Sequence, residues 1–236
     1  MDFSMKANKV SCFLPCRKGS ERVPRKNIKK FSTFEHGLIE IKLKQLSRVK
    51  SIENIVLSTN DEEIIDYACS LNISNLVIHK REERLSSSLT STDELVALAA
   101  DLLPSSHIMW THVTSPFINS ADYKLIIERY FEALAQGYDS LMTTSLIQGF
   151  LWNEHGAINY DREKEKWPRT QTLKPLHEVN STAFINHSLN YQQLNDRIGN
   201  KPCLHSMDKI KSFDIDWMDD FVLAEVIASS GVVEIL

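Results

Sequence analysis

Nowhere in the 236 residues does the sequence run apolar for the ~18 consecutive positions that a membrane-spanning helix needs. The opening MDFSMKANK is polar and lacks the apolar core of a secretory signal, so a cytoplasmic protein is expected. Cysteine is scarce and scattered. Cys12, Cys16, Cys69 and Cys203 form no disulfide framework, and Cys12 and Cys16 have neither zinc-knuckle spacing nor a matching Cys/His pair downstream. They read as small buried residues of a reducing compartment. Charge of one sign is also lacking. A net charge of −4 argues against general binding to nucleic acid or a membrane surface. There is no GxxxxGK[ST] phosphate loop, no GxGxxG, no internal repeat and no low-complexity tract.

Against that background one local excess stands out. In FLPCRKGSERVPRKN (13–27) an apolar run stops at Pro15, and Arg17, Lys18, Arg22, Arg25 and Lys26 follow within ten residues. Gly19, Ser20 and Pro24 interrupt the segment, so it cannot be an ordinary amphipathic helix. Most charge runs are solvated faces. This one follows an apolar strand and mixes Gly, Ser and Pro with its charges, which suits a loop whose N–H groups and cations hold phosphate oxygens. The positive charge is local, so the expected partner is small.

The remainder alternates short apolar runs with helical patterns. Strands are expected at 10–16, 54–60, 75–80, 107–114 and 140–145, and helices at 37–49, after the capping Asp61, at 91–103 and at 121–134. That spacing implies one α/β domain over 1–236, Rossmann-like, with a mostly parallel sheet and helices on both faces. From 147 to 175 the pattern loosens into a hairpin or protruding arm with a charged tip. Strand character resumes over 182–191, and the chain is expected to close with a helix from DDFVLAEVIASS and a last short strand, VVEIL. Ligands of open α/β sheets bind beyond the carboxyl ends of the strands, which is where the basic loop belongs.

FDID supplies a second element of chemistry. Asp214 and Asp216 lie two residues apart, so on an extended segment both point to one side. A lone DxD is often two surface aspartates. Beside a phosphate-binding loop, it becomes an oxygen-ligand site suited to Mg²⁺, which prefers carboxylates, phosphates and water.

PCRKGSERVPRKNIKKF resembles the signature of the sugar-acid cytidylyltransferases of the acylneuraminate type, R-x-G-S-K-x-x-x-x-K-N after an apolar strand. Arg17, Gly19, Ser20, Lys26 and Asn27 match it, and Glu21 stands where the family has lysine. KREERLSSSLTSTDEL (80–95) occupies the place of an R-P-x-x-L-A segment, with Arg81 matched and Glu82 for the proline. WTHVTSPFI is similar to L-Q-P-T-S-P-L; Thr114, Ser115 and Pro116 fit, and His112 replaces the glutamine. PRTQTLKPLHEVNSTAFIN is similar to R-x-Q-x-L-P followed by N-G-A-I-Y-I, with Asn180 and Ala183 kept and Ser181 for the glycine. SFDIDWMDD is similar to S-I-D-I-D-T-x-x-D.

The resemblance implies a fold of the nucleotide-diphospho-sugar transferase type with a small dimerisation arm, and a homodimer. It implies coupling of CTP to a nine-carbon 2-keto sugar acid, giving a CMP-sugar and pyrophosphate, with Mg²⁺ as cofactor. By position, Arg17 and Lys26 become catalytic residues; Pro15, Cys16, Gly19, Ser20, Asn27, Arg81 and Ser86 nucleotide contacts; and Asp214 and Asp216 metal ligands. His112, Thr114, Ser115, Arg169, Gln171 and Asn180 become sugar contacts, with Arg169 and Gln171 reaching into the partner subunit. Lys18, Arg22 and Arg25 match no fixed position and are expected to be solvated or to cover the loop's outer side. Two alternatives stay open. One is a nucleotidyltransferase for another sugar, such as an eight-carbon 3-deoxy acid, although the acidic Q-G-D-E-P-type segment of those enzymes is missing. The other is a nucleotide-binding relative without turnover.

Overall fold

The computed structural model describes residues 8–87 and 89–236. The polar amino-terminal stretch therefore falls largely outside the described residues. The first strand, β1 (Val10–Pro15), is buried on both faces. Cys12 and Leu14 pack toward one layer of helices and Phe13 toward the other, where it meets Trp110 edge-on at 4.8 Å between ring centroids. A strand buried on both sides has no polar alternation to display, which is why it reads as a continuous apolar run.

The elements follow in the order β1, α1 (Gly37–Leu46), β2 (Ile52–Thr59), α2 (Glu62–Ser70), β3 (Leu76–Lys80), α3 (Thr92–Leu102), β4 (His107–Trp110), α4 (Ser120–Ala135) and β5 (Ser140–Ile147). Then come a small ribbon of β6 (Trp152–Asn153) and β7 (Gly156–Ala157), the long β8 (Leu176–His187), α5 (Ser188–Leu194), β9 (Pro202–Met207) and α6 (Met218–Ser230). The seven main strands take the order β3-β2-β1-β4-β8-β5-β9. β8 is antiparallel to both its neighbours, and the other four pairings are parallel. Helices α1, α2, α4 and α6 cover one face, α3 and α5 the other. The expected Rossmann-like sheet is present.

The helix starts obey local chemistry. The Asp61 carboxylate accepts the N–H of Glu63 at 3.2 Å, as its capping position predicts. Ser91 and Glu94 close a capping box on α3, and Asn119 and Asp122 another on α4. Gly37, at φ +61°, opens α1; a Cβ there would lie 2.0 Å from the Lys29 carbonyl oxygen. The close approach seats the end of the basic loop on α1, where the Ile39 N–H also binds the Asn27 carbonyl at 2.9 Å.

Several expectations are corrected. β4 ends at Trp110 rather than 114, because Thr111 turns its hydroxyl to the Thr182 carbonyl at 2.6 Å and the chain leaves the ladder. Strand character over 182–191 stops at His187, whose ring accepts the Leu189 N–H and starts α5. β9 was not expected. VVEIL forms no strand: Val233 and Ile235 pack on the core, and the Ile235 carbonyl accepts the Gln45 amide at 2.7 Å. The four cysteines are free, but Cys69 is exposed. In the arm, Phe150, Trp152 and Trp167 are exposed, with Arg162 over both tryptophan rings. Among the described residues no helix is long and apolar enough to cross a membrane.

Candidate active site

The chain runs outward from β1 through β2 to β3, then returns to β4 on the other side of β1. This reversal opens a crevice at the carboxyl ends of β1 and β4, the place where such sheets bind ligands. A cavity of about 390 Å³ lies there, lined by the end of β1 and the loop after it (Pro15, Cys16, Arg17, Ser20, Lys26 and Asn27) on one side and by His112 and Thr114, just past β4, on the other.

The basic loop is braced so that its polar groups converge. Gly19 adopts φ +80°, where a side chain would be strained. Arg17 donates to the Gly19 carbonyl at 3.1 Å and takes part in no ion pair among the described residues, so most of its guanidinium donors are uncommitted. The Asn27 amide donates to the Arg17 carbonyl at 3.0 Å. Lys18 is pinned by its backbone to Asn60, while Arg25 turns away to the Glu63 carboxylate.

One residue ties the three motifs together. The Ile215 N–H binds the Thr114 carbonyl at 2.9 Å, and the Ile215 carbonyl accepts Lys26 Nζ at 2.7 Å. The FDID segment is thus fixed to both walls of the cavity, with Lys26 anchored between the two aspartates. Burial lowers the Lys26 proton affinity, and the neighbouring Asp216 and Asp214 charges oppose that effect.

Arg22 is exposed, as expected, but it is not free. It pairs with Asp216 at 2.8 Å, stacks on Trp217 and lines the cavity. The Asp216 and Trp217 N–H groups both bind Asp220, which shapes the turn into α6. Asp214 Oδ1 is buried without a hydrogen-bond partner. An acceptor-only oxygen in that position fits a cation, and a two-carboxylate pair suits Mg²⁺, which takes its other ligands from phosphate and water. Among the described residues no cluster of three or more His, Cys, Asp or Glu side chains provides an all-protein metal cage.

The other expected residues divide. Thr114 lines the cavity. Ser115 gives its carbonyl to the buried Lys42 at 2.8 Å, and its hydroxyl is buried without a partner. Lys42, which no motif marks, also donates to Tyr123, and burial brings its pKa down to about 7. Arg81 is buried and turned onto Ser58, reaching its hydroxyl at 3.0 Å and its carbonyl at 2.6 Å; burial lowers it to about 10. The Ser86 hydroxyl closes a turn on the Glu82 carbonyl. Neither Arg81 nor Ser86 lines the cavity. The Asn180 carboxamide accepts the Thr143 hydroxyl at 2.6 Å, bracing β5 against β8 where their register shifts. Arg169 and Gln171 are exposed on the arm, and they do not line the cavity of their own chain.

His112 is half-buried, and its Nε2 accepts the Trp110 indole N–H at 2.8 Å. Burial, then the nearby Arg197, Lys42 and Lys26 charges, push its pKa down to about 3, so the ring is neutral with its proton on Nδ1. Cys16 is likewise a neutral thiol, pushed up to about 12 by burial.

Asp214 and Asp216 do not line the cavity themselves; they stand behind Lys26 and Arg22, which do. A braced cationic loop at a strand-end crevice suits a phosphate-bearing ligand, and the family profile agrees. The sequence profile of the cytidylyltransferases matches residues 11–221. The chain belongs to the cytidylyltransferase family. This cytidylyltransferase is 28% identical to the pseudaminic acid cytidylyltransferase of Campylobacter jejuni over 185 residues, 73% of this chain and 76% of that one. It is 26% identical to the N-acylneuraminate cytidylyltransferase of Streptococcus agalactiae over 91% of its own length, spanning about half (52%) of that longer protein. Among solved structures, a CMP:2-keto-3-deoxy-manno-octonic acid synthetase complexed with CTP superposes with a TM-score of 0.63 at 13% identity, covering 95% of this chain and 100% of that one. At that identity the likeness supports the fold.

Proposed function

We propose that this cytidylyltransferase joins CTP to a nine-carbon 2-keto sugar acid of the sialic-acid kind, releasing pyrophosphate and a CMP-sugar. The observation that carries the reading is the convergence on Ile215: one residue, between Asp214 and Asp216 in the chain, binds both Lys26 of the cationic loop and the Thr114 segment, which line one cavity. The pseudaminic and acylneuraminic acids named for two relatives supply the acceptor class.

In this reading Arg17 grips two phosphate oxygens with its planar fork, as the Gly19–Ser20 backbone cradles another. Lys26 lies next to the aspartates with its position set by the Ile215 carbonyl, so it meets charge growing on the departing pyrophosphate without rearranging. The acceptor hydroxyl attacks the α-phosphorus; the bond to the bridging oxygen breaks, and its electron pair leaves with pyrophosphate. The hydroxyl proton passes to solvent. Asp214 and Asp216 would hold Mg²⁺, which neutralises phosphate charge and lowers the pKa of a bound hydroxyl. Arg22 would then exchange Asp216 for phosphate. Asn27 and Arg81 would face the cytosine, with Arg81 swinging off Ser58 to do so. The exposed Trp152 and Trp167 fit an arm that packs on a second copy and carries Arg169 and Gln171 to the neighbour's acceptor; the pair would work in the cytoplasm, where CTP is made.

Pyrophosphate release from CTP with Mg²⁺ and a panel of pseudaminic, legionaminic, N-acetylneuraminic and 3-deoxy-octulosonic acids tests this reading. Release with a nine-carbon acid is expected. Release only with the eight-carbon acid would replace the acceptor, and release with none would leave a binding protein.

A further inference from the structure

The loop after α5 carries an arginine that no motif marks. Arg197 is half-buried, with its guanidinium carbon 3.8 Å from the Phe184 ring centroid and 5.1 Å from that of Trp110. Its polar contact is Nη1 at 3.5 Å from His112 Nε2, a nitrogen that already accepts the Trp110 indole N–H. A guanidinium offers five N–H donors and no acceptor. Here it forms no ion pair among the described residues, and the adjacent Asp196 commits a carboxylate oxygen to the Ile198 N–H at 3.0 Å.

A partly desolvated charge without a counter-charge is costly. The same patch is short of a second partner. Tyr191 belongs to the apolar cluster of Trp110 and Phe184, and its buried hydroxyl has no hydrogen-bond partner among the described residues. His112 completes the set. With Nε2 accepting, its one proton is on Nδ1, and the ring forms part of the cavity wall. A planar fork with uncommitted donors matches a carboxylate, which arginine recognises in bidentate fashion.

We propose that the Arg197 fork binds the carboxylate of the acceptor sugar acid beside the strand-β4 wall of the cavity, with His112 between the fork and the cavity. The assignment rests on the sugar-acid reading above and makes it specific. The aromatic stack fixes the guanidinium plane, and the histidine links it to the cavity. Triphosphate and carboxylate then sit on separate cationic groups, the first on Arg17 and Lys26, the second on Arg197.

The test compares wild type with Arg197→Met, which keeps an unbranched stem against Phe184, and with Arg197→Lys, which keeps the charge but loses the fork. Pyrophosphate release is measured with CTP, Mg²⁺ and the panel acid that the wild type uses best, and with the C1 carboxamide of that acid. Arg197→Met should raise KM for the acid by about 100-fold, the loss typical of truncating one partner of a desolvated charge pair, with KM for CTP within about twofold of wild type. Arg197→Lys should fall between. Wild type should prefer acid to carboxamide, and Arg197→Met should lose that preference. An unchanged KM for the acid, an equal rise in both KM values, or a preserved preference for acid in Arg197→Met would each overturn the subsite while leaving the enzyme reading intact. Failure of the wild type on every acid would instead overturn the reading beneath it, and the subsite with it.

Discussion

Replacing Lys26 by methionine separates two roles that the structure assigns to one ammonium group. The side chain is buried, and its Nζ donates to the Ile215 carbonyl at 2.7 Å. A hydrogen bond from a charged donor contributes about 1.5–3 kcal/mol. Burial lowers the Lys26 proton affinity, so methionine also relieves a desolvation cost, and the net loss should be about 1–2 kcal/mol. For a chain of this length that corresponds to a fall in Tm of about 2–8 °C. The catalytic effect should be larger. Removing one preorganised group that stabilises developing charge lowers turnover by about 10²–10³, or roughly 2.7–4 kcal/mol. Thermal unfolding and pyrophosphate release, measured on the same preparation at a temperature well below both transitions, give the two numbers. Lys26→Arg, which keeps the charge on a wider head, should recover part of the turnover. A turnover within about threefold of wild type in Lys26→Met, with the Tm shift present, would make Lys26 a brace between two loops and refute its proposed role on the leaving group.

Asp216→Asn should lower turnover by about 10² or more while CTP affinity without divalent cation stays within a few-fold, as followed by calorimetry; normal turnover at saturating Mg²⁺ would remove the metal role. Lys42 titrates near pH 7 in the fold and near its ordinary 10.5 when unfolded, so between these values the unfolded chain binds more protons and folding gains stability as pH rises. Relative to Lys42→Met, denaturant unfolding should show wild type gaining about 2 kcal/mol from pH 7 to pH 9, and a pH-independent difference would contradict the burial of this amine. Gly37→Ala, with a positive φ and a Cβ at 2.0 Å from the Lys29 carbonyl oxygen, should cost about 3 kcal/mol or more in the same assay; a loss below 1 kcal/mol would show that the loop end moves freely.

What the sequence disclosed was local. β1 is legible because both its faces are buried, and α2 and α3 because Asp61 and Ser91 carry their own start signals. β9 escaped because an edge position leaves Leu204 and Ser206 exposed and blurs the apolar run. VVEIL misled in the opposite sense: its apolar side chains serve packing against α1 rather than a ladder. At the site, the basic loop and the aspartate pair could be found because each is a compact motif. Their joint anchor, Ile215, binds groups about 100 and 190 residues away in the chain, and it looks like an ordinary core isoleucine. The Arg22–Asp216 pair and the Arg197 stack are equally non-local. Spacing carries no trace of them: Arg22 is exposed as its sequence suggests, but its partner Asp216 lies 194 residues away.

A crystal of the protein grown with CTP and Mn²⁺ puts the central claim to its most direct test, since the anomalous signal locates the metal without interpretation. The account predicts manganese between Asp214 and Asp216, with the triphosphate against Arg17, Gly19 and Lys26. A triphosphate bound at another surface, or a metal away from both aspartates, would contradict it.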